Sequence, residues 1–261
     1  MNILQAVVMG IVQGLAEFLP VSSSGHLVVM QRVFGIEEPN LTFDIVVHLG
    51  SLLAVIIVFW QDIAALLKKP LQKMTGLLVV GTVPAVAVAF LFKDQIERVF
   101  WNGLPLALAF TVTGVLLVLA DKIPAGKKKE ISYMDALVVG CMQAVGIPPG
   151  ISRSGATISG ALFRGLDRET AARFSFLLSI VAVAGAGALQ AKDIFTEHVT
   201  VATADVLPMI FGFAASAMVG YLAIRLLLRL IKACKLKYFA YYVFALAAFI
   251  LLDTFATGRF F

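Results

Sequence analysis

Charge is scarce in this sequence. Only 14% of its 261 residues are Asp, Glu, Lys or Arg, where a soluble domain carries about 25%. With 60% hydrophobic residues, that shortage excludes an ordinary soluble domain. Cysteine is scarce too: Cys141 and Cys234 supply neither a disulfide framework nor metal-ligand spacing, and both read as small apolar packing residues. The N-terminus lacks the basic region and cleavage site of a signal peptide, so the first apolar segment is expected to stay in the mature protein. The apolar runs are far longer than the roughly 10-residue alternating strands of a membrane barrel. The net charge of +5 comes from basic residues at segment ends, which excludes a nucleic-acid signal. What remains is an all-α integral membrane protein, a single membrane domain over residues 1–261.

A full span needs about 20 apolar residues. Six segments come near that: Phe43–Leu67, Met74–Phe92, Leu104–Ala120, Thr170–Leu189, Val206–Leu228 and Tyr238–Leu252. Two regions do not read as simple spans. Ile3–Phe34 is broken at Pro20–Gly25, and Met134–Phe163 at Pro148–Gly155. Each is a pair of short apolar pieces around a polar kink, as in a re-entrant helical hairpin. Irregular backbone at membrane depth is tolerated only where protein or a water-filled cavity satisfies it, so the two breaks are expected to face a common cavity.

The broken regions also repeat. Without a gap, Ala6 matches Ala136, Val8 Val138, Gly10 Gly140 and Gln13 Gln143, and then Ser22 matches Ser152, Ser24 Ser154 and Gly25 Gly155. Any one pair is weak; the run in one register is stronger. It implies two repeats, residues 1–120 and 131–256, each a hairpin plus three spans. The loops holding Lys68, Lys69 and Lys73, then Lys122 and Lys127–Lys129, then Arg164 and Arg168, then Arg229, Lys232, Lys235 and Lys237 are the basic ones. Those between carry only Lys93 and Arg98, or Lys192. Basic loops face the cytoplasm, so the first hairpin enters from outside and the second from the cytoplasm. The two units then form an inverted repeat, whose site is expected near the midplane.

The breaks hold the residues that could do chemistry. Ser22 or Ser23 can cap the helix running to Phe34, and Ser152 the helix running to Phe163. Both helix N-termini would point free N–H groups at an anion, with Ser24, Gly25, Ser154 and Gly155 alongside. Arg153 adds a planar donor fork suited to phosphate. Glu17 suits such a site only with a cation between it and the anion, and Mg²⁺ is commonly held by a carboxylate plus substrate phosphates. Gln13, one turn earlier, could add a neutral oxygen ligand. His26 could act as general acid or base, and a serine hydroxyl or a metal-bound water could attack phosphorus. Asp44 and His48 share a helix face and could support the site. Plainer readings stand beside these. The serines could be caps alone, Glu17 a structural carboxyl, Arg153 its partner, His26 a turn residue, Gln13 a packing group and Asp44 with His48 a helix-end polar pair. Lys127–Lys129 reads as a topology signal.

Gln13-x-x-x-Glu17, then Phe-Leu-Pro-Val-Ser-Ser-Ser-Gly-His26, with Pro149-Gly-Ile-Ser-Arg-Ser-Gly155 in the second half, resembles bacterial undecaprenyl-diphosphate phosphatases of the bacitracin-resistance type. The resemblance covers essentially the whole chain. It implies hydrolysis of undecaprenyl diphosphate to undecaprenyl phosphate and inorganic phosphate, with a divalent cation, Mg²⁺ or Ca²⁺. It implies a multi-pass protein of the bacterial inner membrane that recycles the lipid carrier of cell-wall synthesis. Glu17 matches the family's essential glutamate, Ser23 the proposed nucleophile, His26 the motif histidine and Arg153 the phosphate-stabilising arginine. Position 13 is glutamate in many members and glutamine here, which leaves Glu17 as the main protein carboxylate for a metal. Whether serine, histidine or water attacks stays open.

Two other classes fit the same features. Inverted repeats around a midplane anion site also build secondary transporters, so transport of an anion, or flipping of an anionic lipid, is the alternative. A non-catalytic lipid-binding scaffold is the third. Oligomeric state, a homo-oligomer included, is open.

Overall fold

A computed structural model describes residues 1–36, 40–124, 126–196, 203–230 and 235–261. The side chains of residues 93, 94, 97, 186, 188–196, 203–205 and 230 lie outside the description, as do Lys232 and Cys234 entirely. The described chain is helical throughout, with eleven α-helices and no strand. In order they are α1 (Ile3–Ala16), α2 (Ser23–Val33), α3 (Leu41–Val58), α4 (Trp60–Lys68), α5 (Lys73–Phe100), α6 (Gly103–Lys122), α7 (Tyr133–Val145), α8 (Arg153–Phe163), α9 (Arg168–Thr196), α10 (Thr203–Leu230) and α11 (Lys237–Leu252). A π-helical turn, Asp253–Thr257, follows.

Five stretches are long and apolar enough to cross a membrane: Leu41–Val58, Lys73–Phe92, Gly103–Lys122, Val206–Arg229 and Lys237–Thr257. The sixth expected span, Thr170–Leu189, lies within α9, and part of its side chains fall outside the description. One boundary is corrected. Phe43–Leu67 is not a single span, because the helix breaks at Phe59, where φ −101° and ψ 22° leave the helical region. The polar pair Gln61-Asp62 opens the short α4, which has no buried residue.

The protein is inside-out relative to a soluble fold. Phe90, Met218, Leu222 and Leu252 are exposed, while Gln13, Gln31, Asp135 and Ser159 are fully buried. Large exposed apolar surface marks contact with another phase, and here that phase is lipid. Cys141 also corrects its expectation: it is exposed on α7 rather than packed inside.

Small residues let the helices approach. A Cβ at Gly10 would lie 2.3 Å from the Gly212 carbonyl oxygen, one at Gly14 2.6 Å from that of Ser216, and one at Gly50 2.5 Å from that of Phe213. So α1 and α3 both press on α10. In the other half, a Cβ at Gly140 would lie 2.5 Å from the Gly81 carbonyl oxygen, pressing α7 on α5. Close backbone approach at small residues is how apolar helices associate where lipid removes the hydrophobic driving force.

The basic loops gather at one end. Leu236 N–H donates to Asp121 at 2.8 Å, Asp167 N–H to the Lys128 carbonyl at 3.0 Å, and Arg173 to Asp62 at 2.5 Å. Lys128 is more than a loop charge, since with Arg164 it pairs to the buried Asp135 of the capping box that Ser132 opens on α7. At the other end Arg32 donates to the Trp101 carbonyl at 3.2 Å, and its guanidinium lies 4.6 Å over the Trp101 ring.

Candidate active site

Both breaks form as their sequences dictate. Pro20 has no amide hydrogen to continue α1, and α1 ends at Ala16. Ser22 is the N-cap of α2, accepting from Gly25 N–H at 3.4 Å, and Ser152 caps α8, accepting from Gly155 N–H at 3.0 Å. Each cap leaves the next two amides without a partner inside its helix: those of Ser23 and Ser24, and those of Arg153 and Ser154. Ser22 pays for its place with strain. Its φ of 70° makes it the one non-glycine in the left-handed half of conformational space among the described residues, a cost of order 1–3 kcal/mol that persists only where surroundings impose it.

The surroundings are the other break. Gly150 N–H donates to Ser22 Oγ at 3.0 Å, and Ser154 Oγ donates to the Leu19 carbonyl at 3.0 Å. Gly150 itself has φ +93°, and a Cβ on Gly25 would sit 2.7 Å from its amide nitrogen. Thr113 of α6 completes the junction, donating to the Gly150 carbonyl and accepting from Ser152 N–H, both at 2.9 Å. The two turns thus meet in direct contact, hydroxyl to backbone.

Glu17 lies at this junction, 7% exposed, and four side chains converge on it. Ser23 Oγ donates to Oε2 at 2.5 Å and Gln13 Nε2 to the same oxygen at 3.0 Å. Arg153 pairs with Oε1, and His48 Nε2 lies 3.7 Å from Oε2. A buried carboxylate needs such company, since an ion without partners in low dielectric is far costlier than a paired one. The structure therefore brings Gln13, Glu17, Ser23 and Arg153 together. Ser22, Gly25, Ser152, Ser154 and Gly155 form the turns beneath them. Ser24 is half-buried on the first turn of α2.

His26 is buried but faces elsewhere. Its Nδ1 is 2.7 Å from the Ser22 carbonyl, to which it donates, so Nε2 accepts from the Tyr242 hydroxyl at 2.7 Å. The ring also stacks on Tyr242 and meets Phe110 edge-on. Of the Asp44–His48 pair, His48 reaches the site, while Asp44 accepts from Gln31 at 2.8 Å and ties α3 to α2.

Three contributors were not singled out from the sequence. Thr113 carried a signal, a hydroxyl inside an apolar span. Ser51, 3.3 Å from Gln13 Nε2, carried the same one. Tyr242 sits in an aromatic run whose composition says nothing about which ring meets His26.

A divalent cation has donors here. Gln13 Oε1 is buried and has no hydrogen-bond partner among the described residues, and such an oxygen is costly unless something positive meets it. It sits one helical turn from the Glu17 carboxylate. No group of three or more His, Cys, Asp and Glu converges among the described residues, so a cation would draw on this amide oxygen as well. Chemically, the cluster offers a hydroxyl bonded to a carboxylate, a guanidinium fork and two helix N-termini, the parts of a phosphoryl-transfer site.

Comparison with known proteins agrees. A family model described as "Bacitracin resistance protein BacA" matches residues 6–249. A protein of Carboxydothermus hydrogenoformans named undecaprenyl-diphosphatase is 46% identical over 262 residues, covering 100% of both chains. A Bacillus cereus protein named undecaprenyl-diphosphatase 3 is 45% identical over 97% of each chain. One from Methanosphaera stadtmanae, named undecaprenyl-diphosphatase, is 42% identical over 93% of this chain and 94% of its own.

Proposed function

The chain belongs to the bacitracin resistance protein BacA family, and from that premise we propose how its junction works as a membrane phosphatase. It hydrolyses undecaprenyl diphosphate to undecaprenyl phosphate and inorganic phosphate. This returns the lipid carrier to cell-wall synthesis and confers bacitracin resistance. The observation that carries the catalytic reading is the 2.5 Å hydrogen bond from Ser23 to Glu17 beside Arg153, a nucleophile bonded to a base next to a phosphate-binding fork.

Arg153 and the first-turn amides of α2 and α8 hold the phosphates. Ser23 Oγ attacks the terminal phosphorus and Glu17 takes the hydroxyl proton. The bond from phosphorus to the bridging oxygen breaks, undecaprenyl phosphate leaves, and water then releases phosphate from Ser23. Both His26 nitrogens are engaged by Ser22 and Tyr242, so His26 holds the α2 turn in place. Glu17 and Gln13 Oε1 would hold a divalent cation, Mg²⁺ or Ca²⁺. Such an ion neutralises charge developing on the phosphoryl oxygens.

We place the protein in the bacterial inner membrane, with six spans and two hairpins entering from opposite ends. The gathered basic loops, beside which α7 begins and α8 ends, support this, as does Arg32 at the other end. The matching Gly10–Gly212 and Gly140–Gly81 approaches support the repeats 1–120 and 131–256.

The test is phosphate release from undecaprenyl diphosphate by purified protein in detergent, with and without EDTA, for wild type and Glu17→Ala. Release that needs both the cation and Glu17 is expected. Because transport needs two compartments, the absence of release under every cation would turn the assignment toward a lipid transporter.

A further inference from the structure

His48 sits on α3, yet its ring belongs to the junction. α3 and α1 both pack on α10 through Gly50, Gly10 and Gly14, which sets residue 48 beside residue 17. His48 Nδ1 is 2.7 Å from the Asp44 carbonyl of its own helix. That contact makes Nδ1 the donor and fixes the ring so that Nε2 faces Glu17. A histidine that ligates a metal almost always donates its other N–H to a carboxylate, backbone carbonyl or water, which sets both tautomer and orientation. His48 has that arrangement before any cation is considered.

Distances agree. Nε2 and Glu17 Oε2 are 3.7 Å apart, close to the roughly 3.4 Å between neighbouring donors of a tetrahedral site with bonds of about 2.1 Å. Ser51 links this face to Gln13: its hydroxyl donates to the His48 carbonyl at 2.9 Å and accepts from Gln13 Nε2 at 3.3 Å. Anchoring the Gln13 amide by its nitrogen leaves Oε1 as the buried oxygen without a partner.

We propose that His48 Nε2, Glu17 and Gln13 Oε1 together form a divalent-metal site, with His48 as its nitrogen ligand. This rests on the cation reading given above and deepens it. A carboxylate and an amide oxygen alone suit Mg²⁺ or Ca²⁺. An imidazole shifts preference toward later first-row ions such as Fe²⁺, Ni²⁺ or Zn²⁺, and Mn²⁺ serves as the paramagnetic probe. The nitrogen also supplies the third protein donor at a site where position 13 brings an amide instead of a second carboxylate.

The test is Mn²⁺ binding to the full chain in detergent, read by electron paramagnetic resonance without any substrate. Bound Mn²⁺ should show nitrogen modulation from one imidazole. His48→Gln should abolish that modulation and weaken Mn²⁺ at least about tenfold, since even partners that only orient a ligand are worth 10–100-fold in affinity. His26→Gln should keep the modulation, and that retention together with its loss in His48→Gln assigns the nitrogen to His48. Mn²⁺ that binds with Glu17 dependence but shows no nitrogen coupling in wild type overturns the His48 assignment alone. Mn²⁺ that fails to bind, or binds equally well to Glu17→Ala, overturns the metal site as a whole. A wild-type spectrum without nitrogen modulation overturns the His48 assignment even if a variant folds poorly.

Discussion

Arg153 and Glu17 pair across the junction with side chains 21% and 5% exposed, and a double-mutant cycle on them separates folding from catalysis. Removing one partner of a buried pair costs about 3–5 kcal/mol, because the other charge is left uncompensated. Glu17 keeps bonds to Ser23 and Gln13 when Arg153 goes, and the arginine is one-fifth exposed, so Arg153→Ala should cost about 3 kcal/mol. For a chain of this size that is a fall in Tm of roughly 6–12 °C. Glu17→Gln in the same background removes the stranded charge while an amide can keep both hydrogen bonds. The double variant should therefore recover about 2 kcal/mol relative to additivity. Activity should behave oppositely. Arg153→Ala should lose about 10²–10³-fold in kcat, the scale for deleting one donor to a developing anion, and the double variant should recover none of it. Thermal melts and phosphate release in one detergent measure both. Coupling below about 0.5 kcal/mol would mean the pair does not exist as described, because independent sites add to within that margin. A near-normal kcat in Arg153→Ala would remove the guanidinium from phosphate binding.

Ser22→Ala should cost about 2–3 kcal/mol, the sum of a lost cap and a stranded Gly150 N–H. Ser22→Gly should cost less because it relieves the positive φ; melts that rank the two the other way would refute the strain argument. Gly10→Ala and Gly140→Ala should each destabilise by at least about 1–3 kcal/mol, since their Cβ atoms would strike backbone. Gly185→Ala on α9, with nothing within 4 Å, should be neutral or stabilise by up to about 1 kcal/mol. Equal effects at the three glycines would contradict the packing. Tyr242→Phe leaves His26 Nε2 without its donor and should cost about 1–3 kcal/mol, readable in the same melts.

Much of the scaffold was legible because local rules dominate it. Apolar length announced the five long apolar helices while running one of them past Phe59, Pro20 announced the first break, and Ser152 announced its cap, with Ser22 and Ser23 both open for the other. Phe59 was not legible: the α3–α4 break falls inside an apolar run, and neither Gly nor Pro marks it. Of the site, the residue types could be read but not their pairings. Glu17 and Arg153 are 136 positions apart, and His26 and Tyr242 are 216 apart. Only tertiary packing decides such partners: α1 on α10 and α3, α8 on α7 and α6, and α11 on α6. His26 shows the limit most clearly, because the same motif suits a catalytic base and a ring held by two neighbours. Gln13 shows it in another way: its spacing indicated a helix face shared with Glu17, whereas the orphaned Oε1 exists only in three dimensions.

The stapling of each turn to the other also bears on symmetry. In the register that matches Ser22 with Ser152, Ser23 falls opposite Arg153, Glu17 opposite Ile147 and His26 opposite Ala156. A perfectly two-fold version of the junction would set two arginines face to face, or two serines with no cation to draw in a diphosphate. In the proposed mechanism that single matched position carries the nucleophile on one side and the guanidinium on the other, so the junction departs from two-fold symmetry where the phosphate would bind. Restoring symmetry there, by Arg153→Ser or Ser23→Arg, would break a contact to Glu17 and would extinguish the proposed chemistry.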